Sequence, residues 1–159
     1  MFEFLILEGA QAGLSWITIL RKREGYRALF DNFDVQKVAH YSDEALEKKL
    51  QDARIIRNRL KVYGTRKNAR ATLKLYEQGS TLLDYFWNFV DDTPLQNAWR
   101  SMSEVPASTA LSEKISKDMK KRGFTFVGPT IVYAHMQATG MVNDHIVTCA
   151  RHQACAALR

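Results

Sequence analysis

A chain of 159 residues is long enough to bury one sizeable core, and nothing in its composition calls for a second domain. Apolar and charged residues alternate throughout, no apolar run nears the length of a membrane span, and the first residues lack a basic stretch leading into a signal-peptide core, so a soluble, cytoplasmic protein is expected. The two cysteines, Cys149 and Cys155, exclude a disulfide framework and suit a reducing compartment or a metal site. The net charge of +6 favours polyanionic partners. The excess is clustered, at residues 21–23, 54–61, 66–70 and 117–122.

Helical periodicity dominates and strand signals are nearly absent, which predicts an all-α fold. Phe2, Leu5, Ile6 and Gly9 recur at helical spacing, giving a buried helix from residue 2 to about 12 that breaks near Gly13. Ser15 fits an N-cap whose hydroxyl accepts from the next turn, and the helix that follows carries Ile17, Leu20, Tyr26 and Phe30 on its apolar side. Asp34 and Ser42 read as caps of two shorter helices. Residues 42–78 form two helical segments around a break at 52–56, the first holding Leu46 and Leu50 and the second Leu60, Tyr63, Leu73 and Tyr76. So short a break makes a helical hairpin. Ser80 caps an aromatic-rich helix through Val90, and residues 91–106, polar and with two prolines, read as a loop. Ser108 or Thr109 opens a helix that stops at Gly123; Gly128-Pro129 opens another that ends at Gly140.

The densest chemistry lies in Leu7-Glu8-Gly9-Ala10-Gln11-Ala12-Gly13-Leu14-Ser15-Trp16. Small residues allow close approach, Glu8 offers an anion and Trp16 a stacking face, which together suit an electron-poor aromatic ring. A helix-start acid and a core tryptophan would produce the same letters. In Asp52-Ala53-Arg54-Ile55-Ile56-Arg57-Asn58-Arg59-Leu60-Lys61 a tight turn leads into a helix N-terminus ringed by cations, the arrangement that receives a phosphate; a solvated basic helix start is the plainer reading. His145 and Cys149, at i and i+4, would share one face of a helix and form half of a tetrahedral zinc site, with His152 and Cys155 beyond. The turn 120–123 places Lys and Arg at a helix end, where they suit the dipole with or without a phosphate.

Glu8-Gly9-x-Gln11-Ala12-Gly13-Leu14-Ser15-Trp16, with Asn143-Asp144-His145 and Cys149, resembles the type I 3-methyladenine DNA glycosylases of the helix-hairpin-helix superfamily, from residue 2 to about 150. The resemblance implies a helix-hairpin-helix glycosylase bundle that hydrolyses the N-glycosidic bond of 3-methyladenine in double-stranded alkylated DNA, acting as a monomer near the bacterial nucleoid with no redox or nucleotide cofactor. It implies that Glu8 recognises the base, that Trp16 lines the lesion pocket, and that Leu14 fills the space left in the stack, although Leu14 also reads as ordinary core. It makes Arg57, Asn58, Arg59 and Lys61 the backbone contacts; Arg54 stands where related sequences often have glycine, which questions the turn's conformation. It implies too a structural zinc on His145 and Cys149, completed by one Cys and one His from an early segment of about thirty residues that has no counterpart here. The sequence expectation is therefore an incomplete zinc site and a loosely held end after Gly140, with a DNA-binding module impaired in excision as the alternative to an active enzyme.

Overall fold

The computed structural model describes residues 1–158. Among the described residues there are nine helices, α1 (Phe2–Gln11), α2 (Trp16–Leu29), α3 (Val35–Ala39), α4 (Asp43–Leu50), α5 (Arg59–Glu77), α6 (Leu82–Trp87), α7 (Ala110–Lys121), α8 (Pro129–Ala138) and α9 (Ala150–Ala156), of which all but α9 bury residues in one apolar core. This is the expected all-α architecture. Two short strands, β1 (Leu95–Gln96) and β2 (Val142–Asn143), pair in parallel with Leu95 opposite Val142. Among the described residues no helix is long and apolar enough to cross a membrane.

Local chemistry sets most boundaries. Asp34, Ser42, Asn58, Thr81 and Thr109 each accept a hydrogen bond from the backbone amide three residues on, starting α3, α4, α5, α6 and α7. Thr81 with Asp84 and Thr109 with Ser112 form reciprocal capping boxes. The cap of α6 is thus Thr81 rather than Ser80, because only the threonine finds an acid three residues later.

Expectations about one cap and two helix faces are corrected. The Ser15 hydroxyl pairs with the Thr18 hydroxyl at 2.7 Å and makes no cap bond. In α2, Ile17 and Leu20 are exposed while Ile19 and Tyr26 are buried, and in α5 Leu60 and Tyr76 are exposed while Val62, Ala69 and Leu75 face the core. Counting large apolar residues misplaced both stripes, because the buried face of α5 is made largely of small and polar residues, among them Gly64, Thr65, Asn68 and Thr72. The strand β1 falls in the stretch read as loop; two residues carry no periodicity.

α5 is the axis on which the rest is hung. It packs against α3, α4, α1 and α6. The loop after α7 lies across it, where Asn68 donates to the Thr125 carbonyl (3.0 Å) and accepts from the Thr125 amide (2.8 Å). This clamp seats Phe126, whose φ of 54° lies in the left-handed region, between Gly9 of α1 and Gly64 of α5. A Cβ at either glycine would come within 3.1 Å of a Phe126 carbon, so the close approach of α1, α5 and this loop requires both.

Candidate functional site

The junction between α1 and α2 is a tight turn locked from both sides. The Leu14 amide donates to the Gln11 carbonyl (2.7 Å), the Gln11 amide group donates to the Leu14 carbonyl (2.8 Å), and Gly13 takes φ +77°. Lys61 reaches over from α5 and donates to the carbonyls of Ala10 (2.8 Å) and Ala12 (2.7 Å) at the end of α1, where a cation satisfies free carbonyls and the dipole. Leu14 is left at the tip, 37% exposed, and does not belong to the core.

Glu8, one turn back on α1, is only 6% exposed, and its side chain makes no hydrogen bond with any described residue. Burial pushes its carboxyl up to about 7. The group is therefore balanced between acid and carboxylate at neutral pH, with its acceptor positions vacant for a donor brought from outside. Trp16 opens α2, directly after this turn, and is half-buried against the core.

The turn 51–58 between α4 and α5 is the second element. Arg54 is not forced into positive φ. Instead Asp52 accepts from the Arg54 amide (2.8 Å) and from its guanidinium (2.7 Å), an Asx turn that removes the need for glycine. α2 buttresses this turn: Lys22 donates to the Ala53 carbonyl, the Tyr26 hydroxyl accepts from the Ile56 amide (3.3 Å), and Gly25 lies against Arg54. The amides of Arg57, Arg59 and Leu60 have no partner among the described residues and lie at the start of α5. Of the four residues read as backbone contacts, Arg57 alone is exposed and uncommitted. Asn58 is the cap of α5, Arg59 pairs with Glu47 at 2.5 Å, and Lys61 closes α1, so these three build the site's frame.

His145 and Cys149 do meet, but not on a helix. They sit in the turn after β2, Cys149 at the N-cap of α9, with Nδ1 and Sγ 3.7 Å apart. Zinc bonds of about 2.0 and 2.3 Å at a tetrahedral angle put nitrogen and sulfur about 3.5 Å apart, so the pair fits two corners of a structural site. Among the described residues no group of three ligating side chains surrounds it. Neither His152, whose Nε2 donates to the Asn97 carbonyl (2.9 Å), nor Cys155 joins the pair in such a group. A cavity of about 720 Å³ opens beside the pair, lined also by Trp87, Met102 and Cys155.

The segment after Gly140 is tied in more firmly than its sequence suggested. Asp144 accepts from Asn97 (2.7 Å), the Trp99 indole (2.7 Å) and Gln137 (2.8 Å); burial pushes its carboxyl up, but Tyr133 together with these three donors outweighs that and holds it below the usual carboxylate range. Asn143 bridges Gln96 and the His152 carbonyl, both at 2.9 Å. The sequence showed the Asn143-Asp144 pair but not its partners Gln96, Asn97 and Trp99, which lie more than forty positions away.

The methyladenine glycosylase family model matches residues 1–152. The chain belongs to this family. It is 51% identical over 149 residues to DNA-3-methyladenine glycosylase 1 of Escherichia coli K12, covering 94% of this chain and 80% of that one. DNA-3-methyladenine glycosylase of Haemophilus influenzae is 43% identical over the same share of each chain. Among solved structures, a crystal structure of 3-methyladenine DNA glycosylase I superposes with a TM-score of 0.93 at 48% identity, covering 95% of this chain and 83% of the other. The Staphylococcus aureus enzyme, described for its recognition of 3-methyladenine, superposes with a TM-score of 0.92 at 29% identity, covering 95% of this chain and 80% of the other. The glycosylase fold is thus common to this chain and its relatives.

Proposed function

We propose that this chain is a base-excision repair enzyme, a monofunctional N-glycosyl hydrolase that removes 3-methyladenine from double-stranded alkylated DNA. The observation that carries the reading is Glu8: a carboxyl 6% exposed, free of hydrogen bonds to the described residues, with Gly9 and Ala10 next to it on α1, in a member of the methyladenine glycosylase family. N3-methylation puts positive charge on the adenine ring, so the base is already a good leaving group. A buried carboxylate accepting from the ring's amino edge, with the Trp16 face beside it, binds the cation in preference to neutral adenine.

Binding does most of the work. Arg57 and the free amides at the start of α5 hold a phosphate, the exposed Leu14 enters the stack as the lesion leaves it, and the flipped base meets Glu8. The C1′–N9 bond breaks, its electron pair neutralises the ring, water adds to the sugar cation and loses a proton, and the products are free 3-methyladenine and an abasic site. Monomeric action in the bacterial cytoplasm belongs to the same reading. His145 and Cys149 would hold a zinc ion as two of four ligands; bound there it would brace the turn before α9, outside the chemistry.

The test is release of the free base. Duplex DNA treated with a methylating agent is incubated with the chain, and the supernatant is separated by chromatography. Time-dependent release of 3-methyladenine by wild type, reduced at least tenfold in Glu8→Gln, is expected. DNA binding without release would leave a binding module and overturn the proposal.

A further inference from the structure

Much of the positive charge near the α4–α5 turn is consumed internally. Arg54 pairs with Asp52, Arg59 with Glu47, and both Arg23 and Arg27 with Glu3, while Lys61, Arg66 and Arg70 donate to backbone carbonyls. On α7 the pattern reverses. Lys114, Lys117, Lys120 and Lys121 are exposed and form no ion pair or hydrogen bond with the described residues. Lys120 and Lys121 lie in the last turn, where the helix dipole accounts for them; Lys114 and Lys117 do not.

Lys114, Lys117 and Lys121 follow i, i+3, i+7 spacing and so share one face. That face walls a cavity of about 550 Å³ whose other side is formed by Leu75, Tyr85 and Phe89. The Lys114 ammonium lies 5.9 Å from the Phe89 ring centroid, and the Arg122 guanidinium lies 5.3 Å from that of Tyr85. Asp118, the one acid lining the cavity, is neutralised by Arg122 at 2.6 Å and also accepts from the Tyr85 hydroxyl at 2.8 Å. Three ammonium groups that form no ion pair with the described residues therefore face an aromatic and apolar floor.

A ligand that satisfies both halves must present phosphates and a bare π face together. Duplex DNA shows the first and hides the second; an unpaired strand shows both. We propose that the α7 groove is a second nucleic-acid surface that binds single-stranded DNA, with Lys114, Lys117 and Lys121 on its phosphates and Phe89 against a base. The groove adjoins Leu75 and Gln78 at the C-terminal end of α5, while the proposed phosphate site lies at the N-terminal end. Nineteen residues of helix put the two roughly 28 Å apart, so a strand in the groove leaves the lesion site open.

Fluorescence anisotropy with a labelled oligothymidine across a salt series tests this in the full chain. The triple variant Lys114→Gln, Lys117→Gln, Lys121→Gln should bind the oligonucleotide at least tenfold more weakly and flatten the slope of log K against log salt by about two, at roughly 0.7 per lost contact. Phe89→Leu should weaken binding on the order of tenfold with the slope unchanged. Release of 3-methyladenine from a lesion duplex, duplex affinity and melting temperature should stay at wild-type values in the triple variant. Absence of oligothymidine binding by wild type, equal binding by wild type and triple variant, or a parallel loss of duplex affinity would each overturn the proposal, the last by making α7 part of the duplex path.

Discussion

Gly25 of α2 and Arg54 of the α4–α5 turn are in such close contact that a Cβ on the glycine would sit 2.4 Å from the Arg54 carbonyl oxygen and 2.5 Å from its Cβ. Backbone occupies that space, so no side-chain adjustment relieves the clash. A glycine in mid-helix costs about 1 kcal/mol relative to alanine, and the approach of the turn explains why this one is tolerated.

Gly25→Ala should therefore push the turn away from α2. We expect a loss of about 1–3 kcal/mol in stability, together with duplex affinity reduced several-fold as the amides at the start of α5 lose their aim. Chemical denaturation and duplex titration at one salt concentration measure the two. Unchanged affinity in a folded variant would show that the turn's placement against α2 does not matter for DNA.

The hairpin's cations make separable predictions. Arg57→Ala should leave the melting temperature unchanged and reduce the slope of log K against log salt by about 0.9, the loss of one phosphate contact. Lys61→Ala should do the opposite, because its ammonium closes the end of α1: a loss of roughly 1–2 kcal/mol in stability at an altered α1–α2 turn. Melts and salt-dependent titrations of the two variants decide between a contact and a frame residue.

How much of this was legible in the sequence depended on the range of the interaction. Caps such as Asp34, Ser42 and Thr109 act on amides three residues away, and they were read correctly. The run from Glu8 to Trp16 stood out because its chemistry is local. Lys61 was read as a DNA contact because its real partners, Ala10 and Ala12, lie far upstream. For the same reason the Asn68–Thr125 clamp and the Asp144 hub were invisible, and Gly25 was passed over although a glycine inside a helical pattern was the available signal. The buried face of α5 defeated periodicity because small and polar residues line it.

Glu8 links recognition to stability with a definite sign. Its carboxyl is raised by burial from 4.5 to about 7, so between those values the folded chain holds a proton that the unfolded chain has released. Its contribution to stability is complete below 4.5 and is lost as pH rises through about 7. At pH 8 wild type should be less stable than Glu8→Gln by about 2–3 kcal/mol, with the gap closing by pH 5. Binding of free 3-methyladenine, followed by Trp fluorescence, should run the other way in wild type, strengthening as the carboxylate forms, and be weak and pH-independent in Glu8→Gln. A constant stability gap from pH 5 to pH 8 would refute the assignment of a raised Glu8 carboxyl.

His135 makes the complementary case in the core. It is fully buried on α8, its ring 4.5 Å from that of Phe86, and neither ring nitrogen has a hydrogen-bond partner among the described residues. Burial, with a smaller push from the Met1 ammonium, pulls its pKa down to about 3. Below 6.5 the unfolded chain takes up a proton that the folded chain refuses, so stability falls as pH drops from 6.5 towards 3. Replacing the imidazole with an apolar group of similar volume removes both unpaired nitrogens and this acid sensitivity. His135→Leu should be more stable than wild type by about 1–3 kcal/mol at pH 7.5, and the advantage should widen by up to about 1.4 kcal/mol per pH unit at lower pH. Denaturant titrations at pH 7.5 and pH 4.5 measure both quantities. A destabilised variant with no change in the gap would mean that the ring nitrogens are satisfied in solution by buried water, and that Phe86 stacking rather than desolvation governs the position.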